Sequence, residues 1–256
     1  VNALMVDRSG LLWAGTQFSG LAVAASRGAP FPWIDLRSPD TAVHGPVASG
    51  SVRAIAQDRG GDLWVGTDDG RLLRIDATGT PADMTGLLES AASDAAYTRI
   101  TGIARTADGK LWVGTQAGLF ELDPQQPSLL AVEVPGFARL ALRSLLPARD
   151  GGLWLGSERD GLIHFDPHGE APRQYLLRDR DSPGAAQPTV HALLETGGGT
   201  LWLGTSHGVE MLDPRSGRHR AFHDQPGRAD GLGSDLVRAL AEDGKCRLWV
   251  GTNAGL

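Results

Sequence analysis

A single cysteine, Cys246, leaves the chain unable to form an internal disulfide, and one thiol assigns no redox compartment. Basic residues are in the minority: 24 Lys and Arg against 30 Asp and Glu give a net charge of −6 and a pI near 5.6. That balance argues against a general binder of phosphate backbones, nucleic acid included. No apolar run approaches the ~18 residues of a membrane-spanning helix. A secretory leader is missing too, but Val1-Asn2 and Leu256 each fall inside a repeat. The sequence therefore reads as a piece of something longer, and missing targeting segments say nothing of the parent. Nucleophile motifs, phosphate loops and zinc signatures are absent. His164, His168, His219 and His223 are dispersed, with no metal-ligand spacing. The Asp-x-x-Gly segments lack the acidic ligands of a calcium loop. No cofactor or metal is called for.

What the chain does hold is one stretch used six times. Leu63-Trp64-Val65-Gly66-Thr67 recurs at 12–16, 111–115, 153–157, 201–205 and 248–252, with Leu, Trp and Gly identical throughout. The last residue is Thr except at Ser157, and six of the seven tryptophans are spent here. The Trp-to-Trp intervals are 51, 48, 42, 48 and 47 residues. Self-similarity at such a period signals a repeat architecture. With hydrophobic residues at 41%, the repeats from end to end read as one domain over 1–256, centred on Trp13, Trp64, Trp112, Trp154, Trp202 and Trp249.

Each repeat carries the same grammar. Twelve residues before the Trp stands Val1, Val52, Ile100, Leu142, Val190 or Val237, and nine before it Leu4, Ile55, Ile103, Leu145, Leu193 or Leu240. The residue ten before is always small. Such short apolar runs between turn residues read as buried strands. An Asp/Gly hairpin turn leads into the Leu-Trp strand. A second turn follows at Gly20, Gly70, Gly118, Gly161, Gly208 or Gly255, and then a third strand. Phe31–Leu36, Leu129–Val134, Arg173–Leu177 and Arg218–His223 are candidate fourth strands, with none clear in the second repeat. Four strands per ~47 residues describe propeller blades; a β-solenoid has shorter rungs. The fold class is all-β: five full blades and two strands of a sixth.

Glycine follows the repeat, with 17 of 35 at three recurring positions. The one two residues after Trp lies inside a strand, where glycine weakens a sheet. It implies that a bulky group of the next blade, the Trp, presses on bare backbone. The indoles themselves read as wedges between sheets rather than as sugar-stacking rings. Trp33, outside the repeat, reads as an outer-strand residue or an exposed aromatic. His44 falls in the long link from Arg37 to Ser51, a surface loop.

The position eleven before Trp is polar in all six copies: Asn2, Arg53, Thr101, Arg143, His191 and Arg238. The small residue beside it marks this strand as the innermost, where blades converge. These six side chains are the candidate ligand-binding set at a channel mouth, together with the second turns and the links between blades. Arginine favours carboxylate, sulfate or phosphate, so the ligand class is a small anion or an acidic oligosaccharide. The structural alternative is that the arginines pair with Asp68, Asp69, Glu158 or Asp160 of the second turns. His207 would open on the same mouth as His191.

The pattern aliphatic-x-Ala-Ile/Leu, Asp-x-x-Gly-x-Leu-Trp-Val/Leu-Gly-Thr, Gly-Leu and Asp resembles the two-component regulator propeller repeat. Val52 to Asp76 is nearly a consensus copy. Departures are confined to turns: Thr106, Ala148 and Thr196 replace the turn Asp, and Cys246 the turn Gly. The resemblance implies the extracytoplasmic, periplasmic sensor of a bacterial membrane receptor with a histidine kinase or diguanylate cyclase output. It also implies a seven-bladed ring, which this chain leaves incomplete, with exposed edges and a tendency to associate. The membrane would be met only through other parts of the parent; a homodimer is compatible, though no residue shows it. The implied role is a non-catalytic ligand sensor. Two alternatives stay open: a propeller lyase resembling streptogramin lyase, with His191 and His207 as candidate bases, and a protein-binding platform.

Overall fold

The structure, a computed structural model, describes residues 2–17, 20–24, 33–34 (backbone only), 51–92, 99–169, 171–177, 187–225 and 231–256. Val1, the link with His44 and the Trp33 side chain lie outside the described residues. The expected fourth strand at 31–36 falls within them only at Trp33–Ile34.

The fold is a β-propeller. Its first blade is β1 (Ala3–Val6), β2 (Leu12–Gly15), β3 (Leu21–Ala24) and β4 (Trp33–Ile34); its second is β5 (Val52–Gln57), β6 (Leu63–Thr67), β7 (Leu72–Ile75) and β8 (Pro81–Asp83). A short helix, α1 (Thr85–Ala91), follows β8. The third blade is β9 (Ile100–Arg105), β10 (Leu111–Thr115), β11 (Leu119–Asp123) and β12 (Ser128–Val132). The fourth is β13 (Leu142–Pro147), β14 (Leu153–Ser157), β15 (Leu162–Phe165) and β16 (Arg173–Tyr175); the fifth is β17 (Val190–Glu195), β18 (Leu201–Thr205), β19 (Gly208–Asp213) and β20 (Arg218–Phe222). β21 (Val237–Glu242) and β22 (Leu248–Thr252) pair as a two-stranded sheet. Every sheet is an antiparallel meander in sequence order. The chain falls into two compact units, residues 1–133 and 134–256.

Within each unit the first strands of successive blades lie against one another, β1 by β5 by β9 and β13 by β17 by β21. The first strand is thus the innermost, as the small residue ten before Trp implied. Its aliphatic residue twelve before Trp is fully buried at Val52, Ile100, Leu142, Val190 and Val237. The residue nine before Trp is a correction to the sequence reading. Ile103 is buried as expected, but Leu4 is 66% exposed, and Ile55, Leu145, Leu193 and Leu240 are only half-buried. In β5 Val52 packs with Trp13, Leu63 and Val65, the partly buried Ile55 beside them, whereas Ala54 and Ala56 pack in a separate cluster with Trp64, Leu72 and Ile100.

Trp13, Trp64, Trp112 and Trp154 behave as wedges, buried and with no open ring face for a ligand, whereas Trp202 is half-buried and Trp249 is 43% exposed. What presses on the strand glycine, however, is not the Trp. A Cβ at Gly204 would stand 2.7 Å from Val237 Cγ1, and one at Gly156 would stand 2.8 Å from Val190 Cγ1. Val52 and Ile100 crowd Gly15 and Gly66 in the same way. The next blade's fully buried inner aliphatic occupies the notch, because it comes from the strand nearest the convergence of the sheets.

The turn Asp does more than shape the hairpin. Asp7, Asp58 and Asp243 accept the indole N–H of their own blade's Trp at 2.8, 3.1 and 3.1 Å, and Thr106 Oγ1 accepts that of Trp112 at 3.1 Å. Where Ala148 has no acceptor to offer, Glu195 of the next blade accepts from Trp154 at 3.2 Å. A buried indole N–H without a partner costs about 1–3 kcal/mol, so the replacement is compensated across the blade seam. Cys246, at the turn-glycine position, holds a φ of 59°, the one positive value among the described non-glycine residues.

Candidate functional site

Five of the six polar candidates share a backbone feature that their sequence spacing hides. In β5 the register steps from Val52 opposite Thr67 to Ala54 opposite Gly66, leaving Arg53 as an extra, bulged residue. The same step leaves out Thr101 in β9, Arg143 in β13, His191 in β17 and Arg238 in β21. Asn2 immediately precedes β1 and donates its N–H to the Gly15 carbonyl at 2.8 Å. A bulge re-aims a side chain without breaking the strand, and bulges gather beside functional sites. On β5, β13 and β21 the bulged arginine reaches the second turn of its own blade.

In the first unit these side chains are occupied. Arg53 Nη2 meets Asp68 Oδ2 at 3.3 Å, Asn2 Nδ2 donates to Ser51 Oγ at 2.9 Å, and Thr101 Oγ1 donates to the Gly114 carbonyl at 3.1 Å. In the second unit Arg143 Nη2 meets Glu158 Oε2 at 2.8 Å, while Arg238 Nε reaches only the neutral Asn253 Oδ1 at 3.4 Å. Of the four acids offered by the second turns, Asp68 and Glu158 thus take arginines. Asp69 instead accepts from Thr67 Oγ1, and the Asp160 N–H donates to Ser157 Oγ at 2.5 Å. The column that supplies the partners stands four residues after Trp. It reads Gln17, Asp68, Gln116, Glu158, Ser206 and Asn253, and its unbroken polarity was a signal available in the sequence.

His191 lies half-buried between strands carrying Arg143 and Arg238. Burial first, then the charges of Arg238 and Arg143, push its pKa down from 6.5 to about 4, with Glu158 opposing. The imidazole is therefore neutral at pH 7. His207, expected on the same mouth, is engaged by Ser206 Oγ at 3.0 Å and gives its N–H to Thr205 Oγ1 at 3.0 Å. Among the described residues no group of His, Cys, Asp and Glu could hold a metal ion, and no helix is long and apolar enough to cross a membrane.

Successive four-stranded meanders, with a bulged polar residue on the inner strands β5, β9, β13, β17 and β21, define a repeat propeller. The sequence model of the two component regulator propeller matches residues 46–69, 96–117 and 231–254, so parts of three repeats are similar to that family. No curated protein matches the chain. Among solved structures it is similar to the extracellular domain of BT4673 from B. thetaiotaomicron, assigned to a hybrid two component system. The identity is 18% and the TM-score 0.68, covering 100% of this chain and 37% of that one. It is also similar to virginiamycin B lyase from Staphylococcus aureus, at 16% identity and a TM-score of 0.69, covering 98% of this chain and 77% of the lyase. A third likeness is to PorZ, a surface component of the type-IX secretion system of Porphyromonas gingivalis. There the identity is 17% and the TM-score 0.69, with 99% and 37% covered. At such identities the likeness establishes the fold alone. The chain spans 37% of the length of the two-component extracellular domain.

Proposed function

We propose that this chain is a non-catalytic, ligand-sensing propeller from the periplasmic part of a bacterial transmembrane signalling receptor, and that its ligand is a small anion or acidic oligosaccharide. The observation that supports this reading is the repeated bulge, which leaves Arg53 in the first unit, and Arg143, His191 and Arg238 in the second, without a partner in the strand register. The receptor role leans on the repeat family and on the two-component protein among the structural neighbours. A lyase with His191 as general base is less well supported. A base held near pKa 4 is unprotonated at pH 7 but has little appetite for a proton, far from the matched pKa that acid–base catalysis favours.

The test is thermal stabilisation by a panel of anions: sulfate, citrate and uronic-acid oligosaccharides. A ligand at one hundred times its Kd stabilises the fold by about 2.7 kcal/mol, an easily measured rise in Tm. Replacing Arg53, Arg143 and Arg238 together with alanine should abolish that rise. An unchanged rise would remove the arginines from the site and the reading with them.

A further inference from the structure

The second unit concentrates charge unevenly. β17, which carries His191, packs against β13, β14, β18 and β21. The charged groups acting on His191 from these elements are Arg143 on β13, Glu158 just after β14 and Arg238 on β21. The turn after β18 contributes His207, held by Ser206. Glu195, at the opposite end of β17, is committed to Trp154 and to the Arg149 backbone. Two guanidiniums therefore face one carboxylate, and that carboxylate is bound to Arg143 at 2.8 Å. Arg238 has only a long contact to a neutral amide oxygen. The local balance is two positive charges and one negative, beside a half-buried imidazole for which the described residues provide no hydrogen bond.

Building on the anion site of the proposed function, we infer that an oxyanion bound between Arg143 and Arg238 brings a proton onto His191, so the site grips its ligand more tightly as pH falls. The reason is electrostatic. In the empty site the guanidiniums repel a charged imidazole and burial penalises it. An anion reverses the sign of the local field, and the protonated ring then donates a third charge-assisted hydrogen bond to the ligand oxygen. Near pH 5 close to one proton is taken up from solvent for each anion bound, less toward pH 7, and no bond other than N–H is formed. The ligand class this selects is a compact oxyanion, a carboxylate or a sulfate, with oxygens enough to meet two guanidiniums and one imidazolium.

Sulfate is the probe, since it does not itself titrate between pH 5 and 7, at ionic strength held constant with sodium chloride. The imidazole of His191, assigned by comparison with His191→Gln, is followed by NMR on histidine-labelled protein. Without sulfate it should titrate near 4; with sulfate the midpoint should rise toward the ordinary value near 6.5. Calorimetry should show the sulfate Kd falling about twentyfold from pH 7 to pH 5, as linkage requires of a rise from 4 to 6.5. Binding heats should vary with the ionisation enthalpy of the buffer, and His191→Gln should flatten the pH dependence. Sulfate that binds with the His191 midpoint unmoved and Kd flat would overturn this inference and leave the sensor reading intact. No sulfate binding anywhere between pH 5 and 7 would overturn the anion site itself, and this inference with it.

Discussion

Gly66 and Gly251 stand at the same place in the repeat, two residues after Trp, yet their surroundings differ. A Cβ on Gly66 would run into Ile100 of the following blade, whereas one on Gly251 would meet only Ala239 of its own sheet, at 3.3 Å. Gly66→Ala should therefore destabilise by about 1–3 kcal/mol, the usual cost of overpacking a filled seam. Gly251→Ala should change stability by roughly 0.5 kcal/mol or less, as at an ordinary surface site. Denaturant melts of the two variants decide the point; equal losses would mean that the strand's own backbone, and not the neighbouring aliphatic, demands glycine. The need for glycine at this position was legible from its recurrence. The identity of the group pressing on it was not, because the contact is made about 34 residues away, in the next blade, where the sequence shows only one more buried valine or isoleucine.

At the level of elements, the strands and turns were legible because each repeat announces itself by its Trp. The fourth strand of the second blade was not. Pro81–Asp83 is three residues long and its last residue turns at once into α1, with Asp83 Oδ1 accepting from the Thr85 N–H at 2.9 Å. A seven-residue helix is too short to show a periodic pattern, and its N-cap residue, Met84, makes no side-chain cap. Its value lies in Leu88, fully buried among Trp64, Leu72, Ile100 and Phe120. Leu88→Ala should cost about 2–5 kcal/mol, the range for a buried leucine that leaves a cavity. Chemical denaturation followed by tryptophan fluorescence would measure it, and a cost below that range would mean that α1 merely covers the seam. The bulges escaped the sequence reading for a similar reason. An inserted residue leaves the strand's composition unchanged and becomes visible only when the partner strand's register is known.

For the whole molecule, titration gives a stability profile with a definite sign. The unfolded chain takes up a proton on His191 near pH 6.5, while the folded chain refuses it until about pH 4. Stability therefore declines as pH falls through that window, since the unfolded state binds more protons there. The turn carboxylates act lower. Asp76 is held below 3.8 chiefly by the Thr78 hydroxyl and Asp213 by the Ser216 hydroxyl. The Arg247 backbone N–H leads the hydrogen bonds that bring Asp243 to about 2. Their contribution is present above pH 3.8 and is lost as pH falls through these depressed values. Melting temperatures recorded from pH 7 to pH 3 should fall in two stages, and His191→Gln should remove the upper stage alone. A single decline below pH 4 in the unsubstituted chain would show that His191 is not shielded as described.

The sequence by itself determined the architecture: six Leu-Trp-x-Gly-Thr/Ser stretches at a near-constant interval, with tight turns between them, admit little but sequential four-stranded blades. It also determined where polarity is placed on the inner strands, because a polar residue between buried neighbours stands out in any alignment of the repeat with itself. Only the tertiary structure decided what those polar residues do. That Arg53 and Arg143 meet the carboxylates of their own blades' second turns, and Arg238 the neutral amide of its own, depends on the bulge that aims each side chain at that turn. The charge left around His191 is likewise a sum over three strands from three repeats. Such sums depend on distance through space, and distance along the chain does not report it.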